Sequence, residues 1–288
     1  MTSITINNNI IDSYKQTIRE VLLTPKNGKF TAKTKRYFAF LKANLHITRY
    51  SQVLSLLLKN PQDLVSTYSV IHTDEKNYAI YDDLRKVWAK RLVNLTDIKV
   101  CPYCNRNFVI NYAKTGTTVE LDHFYPKKDY PYLCINLYNL IPSCHTCNHK
   151  KGTKQLDIYP YTDSINNYVK FSFGINKLPF LANNINLFFT QKKNSEEANQ
   201  KIYNYMQVLN IPTLYENHKD IVSELLEKRE IYADSYIDDL MRQYEGTLFK
   251  NREDLLRLIT CGYVSDEDIN KRPLSKLIKD ISEELKLI

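Results

Sequence analysis

Two cysteine pairs frame a single Asp-His dyad in this chain. Cys101-Pro102-Tyr103-Cys104 opens the segment, Leu121-Asp122-His123-Phe124-Tyr125-Pro126 lies within it, and Cys144-His145-Thr146-Cys147 closes it. A turn can aim two thiolates spaced two residues apart at one point, and two such pairs complete the tetrahedral shell of a zinc ion. The expectation is a structural zinc held by Cys101, Cys104, Cys144 and Cys147, because a closed four-thiolate shell leaves no position for a reacting water. The 39 residues from Asn105 to Ser143 exceed the spacing of small zinc fingers, so they must hold a folded insertion. Disulfides are the competing reading of the same pairs. They are disfavoured because Met1 to Ile11 lacks the basic-then-apolar pattern of a secretory signal.

Asp122-His123 sets a hard oxygen ligand beside a base whose ordinary pKa lies near neutrality. Val119-Glu120-Leu121 reads as a short strand leading into the dyad. On a strand, neighbouring side chains point to opposite faces, so one residue can face a metal while the other faces a water. Asn148 follows Cys147 directly, and its amide oxygen suits Mg²⁺ or Mn²⁺. Cys144 to Lys151 is expected to form a short helix ended by Gly152. Lys127, Lys150 and Lys151 are candidate phosphate contacts. A solvated basic helix end, favoured by the helix dipole, is the alternative for the last two.

The run Cys-x-x-Cys, Asp-His-x-x-Pro, Asn-Leu, Cys-x-x-Cys-Asn-x-x-Lys-Gly resembles the HNH nucleases, the ββα-metal family, in a branch with a four-cysteine zinc. The resemblance covers Cys101 to about Lys154. It implies His123 as the general base that deprotonates the attacking water, with Asp122 and Asn148 holding one divalent ion, Mg²⁺ or Mn²⁺. It implies Asn139 as the residue that orients the loop and the base. Many members carry His where Asn148 stands, and the adjacent His149 is an alternative ligand. With a base near its reference pKa, activity is expected to fall below about pH 6.

The elements that must position these groups read as an α+β, mainly helical chain: a small ββα-metal core with a four-cysteine zinc, flanked by helical regions. The expected division is 1–100, helical and basic; 101–156, the nuclease core; and 157–288, a small hairpin followed by acidic helices. Helices are expected over Ile11 to Leu23, Ala32 to Asn44, Gln52 to Leu58, Gln62 to Ile71 and Tyr78 to Val93, the last with Trp88 in its core stripe. Phe108 to Tyr112 and Thr118 to Leu121 read as the hairpin bearing the dyad, with Gly116 in its turn. Tyr168 to Phe173 and Ile185 to Thr190 read as a second hairpin. Helices follow at Glu196 to Leu209, Pro212 to Gln243, Glu253 to Leu258 and Pro273 to Leu287. Leu225, Ile231, Tyr236 and Leu240 are expected to form one apolar face. The two remaining cysteines, Cys134 and Cys261, are expected to be buried apolar residues.

The net charge of +8 is uneven: Lys+Arg against Asp+Glu is 16 to 8 over 1–100, 7 to 4 over 101–160 and 17 to 20 over 161–288. A basic front suits a polyanion, and Lys26, Lys29, Lys33, Lys35 and Arg36 read either as a DNA-backbone grip or as a solvated helix face. Hydrophobic content of 43% is enough for a packed core, and no run of 18 apolar residues suggests a membrane span. A thiolate metal site without an export signal points to the cytoplasm.

The leading reading is therefore a metal-dependent endonuclease acting on nucleic acid, DNA first. A zinc-stapled nucleic-acid-binding module without catalysis is the alternative, but it leaves Asp122, His123, Asn139 and Asn148 together unexplained. A zinc deaminase needs a His-x-Glu pair, and His123-Phe124-Tyr125 does not supply it. HNH proteins with helical flanks of this kind resemble the nuclease subunits of bacterial anti-phage systems, the Septu type above all, which pairs such a nuclease with an ATPase. The chain has no Gly-x-x-x-x-Gly-Lys-Ser/Thr stretch, so ATP gating would fall to a separate ATPase. One such site makes one cut, so a double-strand break would call for a homodimer.

Overall fold

The computed structural model describes residues 2–23, 30–96, 98–114 and 116–288. The fold is α+β and mainly helical, with two small two-stranded sheets. The chain forms two compact units, one of Ser3–Ile98 and Val109–Thr162, the other of Met1–Thr2, Lys99–Phe108 and Asp163–Ile288. The N-terminal helices fall in the first of these, together with residues 109–156.

In the first unit, α1 (Asn8–Ile18) starts where the Asn7 side chain accepts from the Ile10 N–H, and it runs into a π-helical turn at Arg19–Leu23. Then come α2 (Ala32–Leu45), capped by Thr31, α3 (Tyr50–Leu58), α4 (Pro61–Thr67) and α5 (Tyr81–Leu95). Pro61 opens α4, where its missing N–H costs nothing. Trp88 is buried in the core and meets the edge of Tyr14 at 4.8 Å, so it stacks on no base. Buried tyrosines carry this core into the site: the Tyr37 hydroxyl donates to the Tyr132 carbonyl at 3.2 Å, and that of Tyr81 to the Leu121 carbonyl at 2.7 Å.

Strand β1 (Glu120–His123) pairs antiparallel with β2 (Leu140–Ser143), in the register Glu120 with Ser143, Leu121 with Pro142, Asp122 with Ile141 and His123 with Leu140. The expected hairpin is corrected here. Residues 108–112 form only isolated bridges, Val100 with Phe108 and Asn111 with Thr117, and the dyad strand takes its partner from beyond the loop. Phe108 and Tyr112 are largely exposed, so their apolar alternation marks no packed strand. After β2 comes α6 (His145–Lys151). Gly152 ends it with φ 54°, a conformation that a side chain would strain.

In the second unit, β3 (Val169–Ile175) pairs antiparallel with β4 (Ile185–Gln191), as expected. Helices α7 (Glu196–Leu209) to α12 (Ser275–Glu284) follow. The single helix expected over Pro212 to Gln243 is three: α8 (Ile211–Tyr215), α9 (Lys219–Ile231) and α10 (Asp234–Tyr244). A 3₁₀ turn at Glu216–His218 and a break at Tyr232 interrupt it. Leu225 is buried, whereas Ile231, six residues further along the same helix and so off its buried face, is exposed, as is Tyr236 beyond the break; the expected common face does not exist. Cys134 is buried as expected; Cys261 is exposed, because it caps α11 (Arg252–Thr260) in a left-handed conformation.

Candidate functional site

The four-cysteine element has knuckle geometry. The Asn105 N–H donates to the Cys101 carbonyl at 2.8 Å, the Arg106 N–H points at the Cys104 sulfur at 3.4 Å, and Asn105 takes a left-handed φ of 53°. Asn105 is buried and ties the knuckle down: its side chain donates to the Ile269 carbonyl at 2.7 Å and accepts from the Lys276 N–H at 3.0 Å. In the second pair, Cys144 is the N-cap of α6 and Cys147 lies on its first turn. The sulfurs of Cys101, Cys104, Cys144 and Cys147 all lie within 4.8 Å of one another, and all four residues are buried. Four buried thiols gathered this closely match the four-thiolate shell of a tetrahedral zinc, so the donor set fits that ion.

The dyad lies at the end of β1. His123 is half-buried, with its ring 4.4 Å from that of Tyr81, edge to face. Its Nε2 is 2.8 Å from the Cys134 carbonyl oxygen. A carbonyl only accepts, so Nε2 carries the proton and the Nδ1 lone pair is left for a base. Burial lowers the pKa of His123 to about 3, helped by the positive charges of Lys127 and Lys151 and opposed by the Cys134 carbonyl. The ring is therefore neutral, the form a base requires.

Asn139 is buried and staples the loop that follows His123. Its Oδ1 accepts from the Tyr125 N–H at 2.7 Å, and its Nδ2 donates to the carbonyls of Tyr125 at 3.0 Å and Leu133 at 3.1 Å. Asn136, which the sequence reading passed over, extends this staple. Its Oδ1 caps the turn at Leu137–Asn139, and its Nδ2 holds the carbonyls of Leu56 and Lys59 at the end of α3. Only its buried, doubly bonded position reveals it; an Asn three residues before another carries no motif signal.

On the other face of β1, Asp122 meets α6. Lys151 is fully buried, with its Nζ 3.3 Å from the Asp122 carboxylate and 2.6 Å from the His123 carbonyl. This departs from the expectation of a phosphate contact: the ammonium is enclosed and faces a carboxylate, not solvent. Asn148 donates its Nδ2 to Glu120 Oε2 at 2.6 Å, and His145 Nδ1 lies 2.9 Å from Glu120 Oε1. Glu120 was also missed, although strand alternation places it on the face of Asp122. Burial pushes the Glu120 pKa up, but the bonds from Asn148 and His145 outweigh it and hold the carboxyl below its ordinary value. Asp122 and Asn148 thus offer hard oxygen donors from facing elements, which fits a divalent cation. His149 is exposed and stacks on His145.

Of the other cations, Lys150 is exposed. Lys127 is half-buried with its Nζ 4.5 Å from the Tyr81 ring centre, and burial lowers its pKa. Lys35 and Arg36 are exposed on α2, whereas Lys33 pairs with Asp83 at 3.2 Å; Lys26 and Lys29 lie outside the described residues. Among the described residues, no helix is long and apolar enough to cross a membrane.

A carboxylate-histidine strand, a stapling asparagine and a short helix bearing Asn148 within a four-cysteine knuckle define a class of site. Residues 101–154 match the family model described as HNH endonuclease, so this segment is a domain of that family. The chain is also 36% identical over 92 residues to the Septu protein PtuB of Bacillus thuringiensis, a match that covers 29% of this chain and 34% of the relative. The chain thus spans about a third of the length of that curated relative. No solved structure matches.

Proposed function

We propose that this protein is a metal-dependent endonuclease that hydrolyses phosphodiester bonds of DNA and serves anti-phage defence. The observation that carries the reading is the tautomer of His123, whose Nε2 is held by the Cys134 carbonyl so that the Nδ1 lone pair is left for a base. Asp122 and Asn148 would hold one divalent ion, Mg²⁺ or Mn²⁺, whose charge offsets that building on the phosphate as its bond breaks. His123 Nδ1 takes a proton from a water, and the water oxygen bonds to phosphorus. The P–O bond to the 3′ oxygen breaks, leaving a 5′-phosphate and a 3′ oxygen that takes a proton from solvent to become a hydroxyl. Asn139 and the Cys134 carbonyl keep the imidazole oriented, at no reorganisation cost during the step. Zinc at the four cysteines has no part in the chemistry; it fixes the start of α6 and with it Asn148.

The PtuB relative and the HNH domain support a role in defence; with no P-loop motif in the sequence, any gating of the cut by ATP would fall to a separate ATPase partner. Lys127 and Lys150 are proposed to meet the DNA backbone, a homodimer to deliver paired cuts, and the cytoplasm to be the site of action. The test is supercoiled plasmid incubated with the wild type or His123→Ala, with Mg²⁺, Mn²⁺ or EDTA. Nicking by the wild type alone, abolished by EDTA, is expected. Equal cleavage by both proteins would remove His123 from the mechanism. Metal-independent binding without cleavage, with the ATPase present, would favour the silent binding module.

A further inference from the structure

We propose that Glu120 is a positioning residue that latches the Asn148 side chain, so that Asn148 presents its oxygen, and not its nitrogen, to the divalent ion. The inference rests on the nuclease reading and deepens it. A carboxamide has one oxygen and one NH₂ group at nearly the same distance, and only the oxygen can ligate a hard cation. Rotation by half a turn would present the wrong atom, and the metal-binding groups considered so far do not prevent it. Glu120 does. An ionised carboxylate can only accept, so the atom of Asn148 that faces Glu120 Oε2 at 2.6 Å must be Nδ2. The Oδ1 atom is then turned away from Glu120.

The latch is held at two points. Glu120 Oε1 faces His145 Nδ1 at 2.9 Å, and His145 lies three residues before Asn148, on the same side of α6. One carboxylate thus grips two neighbouring side chains of the helix. The strand also sets the distance: Glu120 and Asp122 are two residues apart on β1, so the latch and the carboxylate ligand share one face. Glu120 is only partly exposed, which shields the bonds from competing water.

The full chain would be titrated with Mn²⁺ and the unbound ion followed by electron paramagnetic resonance, with no nucleic acid present. Zinc content and a cooperative melt would certify each variant as folded. Glu120→Ala is expected to weaken Mn²⁺ binding about 10-fold, the usual scale for removing a support behind a ligand. Glu120→Gln keeps one acceptor oxygen and is expected to retain most of the affinity. In an Asn148→Asp background the ligand has two equivalent oxygens, so Glu120→Ala is expected to cost nothing there. Equal losses in both backgrounds would overturn the latch and make Glu120 a ligand or a brace for the helix. No loss in either background would overturn it as well. Asp122→Ala separates this failure from that of the underlying reading. If it abolishes binding while Glu120→Ala leaves the affinity unchanged, only the latch is wrong; Asp122-independent or absent binding overturns the metal site and the latch together.

Discussion

Each unit of this protein buries a Lys-Asp pair, and these two pairs are built differently. Lys276 and Asp280 sit one turn apart on α12, each about 1% exposed, in a close ion pair. Asp280 also accepts the Phe171 N–H at 2.8 Å, which knits helix to strand. Burial lowers the Lys276 pKa to about 8 and raises that of Asp280, so both groups resist the charge they carry. Lys151 and Asp122 come instead from different elements, at a looser 3.3 Å, and the shortest bond of the ammonium goes to the His123 carbonyl. The first pair is a closed structural lock. The second is a looser contact across two elements, the arrangement that the proposed metal ligand Asp122 would call for.

Breaking the lock is expected to give the largest stability effect. Lys276→Ala would strand a buried carboxylate and cost about 3–5 kcal/mol in urea unfolding, while a Lys276→Met, Asp280→Leu double variant would recover most of it. Full stability in the single variant would show that water reaches Asp280. Lys151→Ala should also destabilise, but here millimolar Mg²⁺ is expected to restore part of the melting temperature, as it would not for Lys276→Ala. Equal response of the two variants to Mg²⁺ would erase the distinction between them.

The pH dependence sharpens the same contrast, because Lys151 helps to depress His123. The folded His123 titrates near 3 and the unfolded one near 6.5. Between these values the unfolded chain binds a proton that the native chain does not, so stability falls as pH drops from about 6.5 towards 3. His123→Asn should flatten that slope. The acid limb of the cleavage rate, expected near pH 6 from the reference value, should lie lower, and Lys127→Ala should move it back up. An unmoved limb would mean that another group sets it. The smallest effect separates two neighbouring lysines. Lys150→Ala should reduce the salt slope of DNA binding by about 1, and the enclosed Lys151 should contribute nothing to it.

How much of this was legible in the sequence depends on what each residue answers to. Asp122, His123, Asn139, Asn148 and the four cysteines could be named because their chemistry fixes their types and spacing. Their partners could not. The strand opposite the dyad was misplaced because Phe108 to Tyr112 alternates like a strand, whereas Leu140–Ser143 is buried throughout and shows no period. The inward turn of Lys151 and the bracing by Asn136 depend on contacts between elements, which local pattern does not encode. Glu120 was within reach, since a period of two puts it beside Asp122, but an exposed-looking Glu ahead of a motif gives no reason to apply that rule. The breaks in the long C-terminal helix escaped because Glu216 to Lys219 and Tyr232 contain no Gly or Pro to announce them.

The imidazole of His123 has one nitrogen committed to an interior carbonyl and only one available to the reaction. If His123 is the base, as proposed, a proton taken up at Nδ1 would have no second exit and could not be relayed through the ring. It must leave by the face on which it arrived, so the site can be reset only after the cleaved strand has cleared that face. In the proposed mechanism such a base would work as a one-way valve operated twice, and under saturating substrate the departure of product, rather than the cut, would set its rhythm.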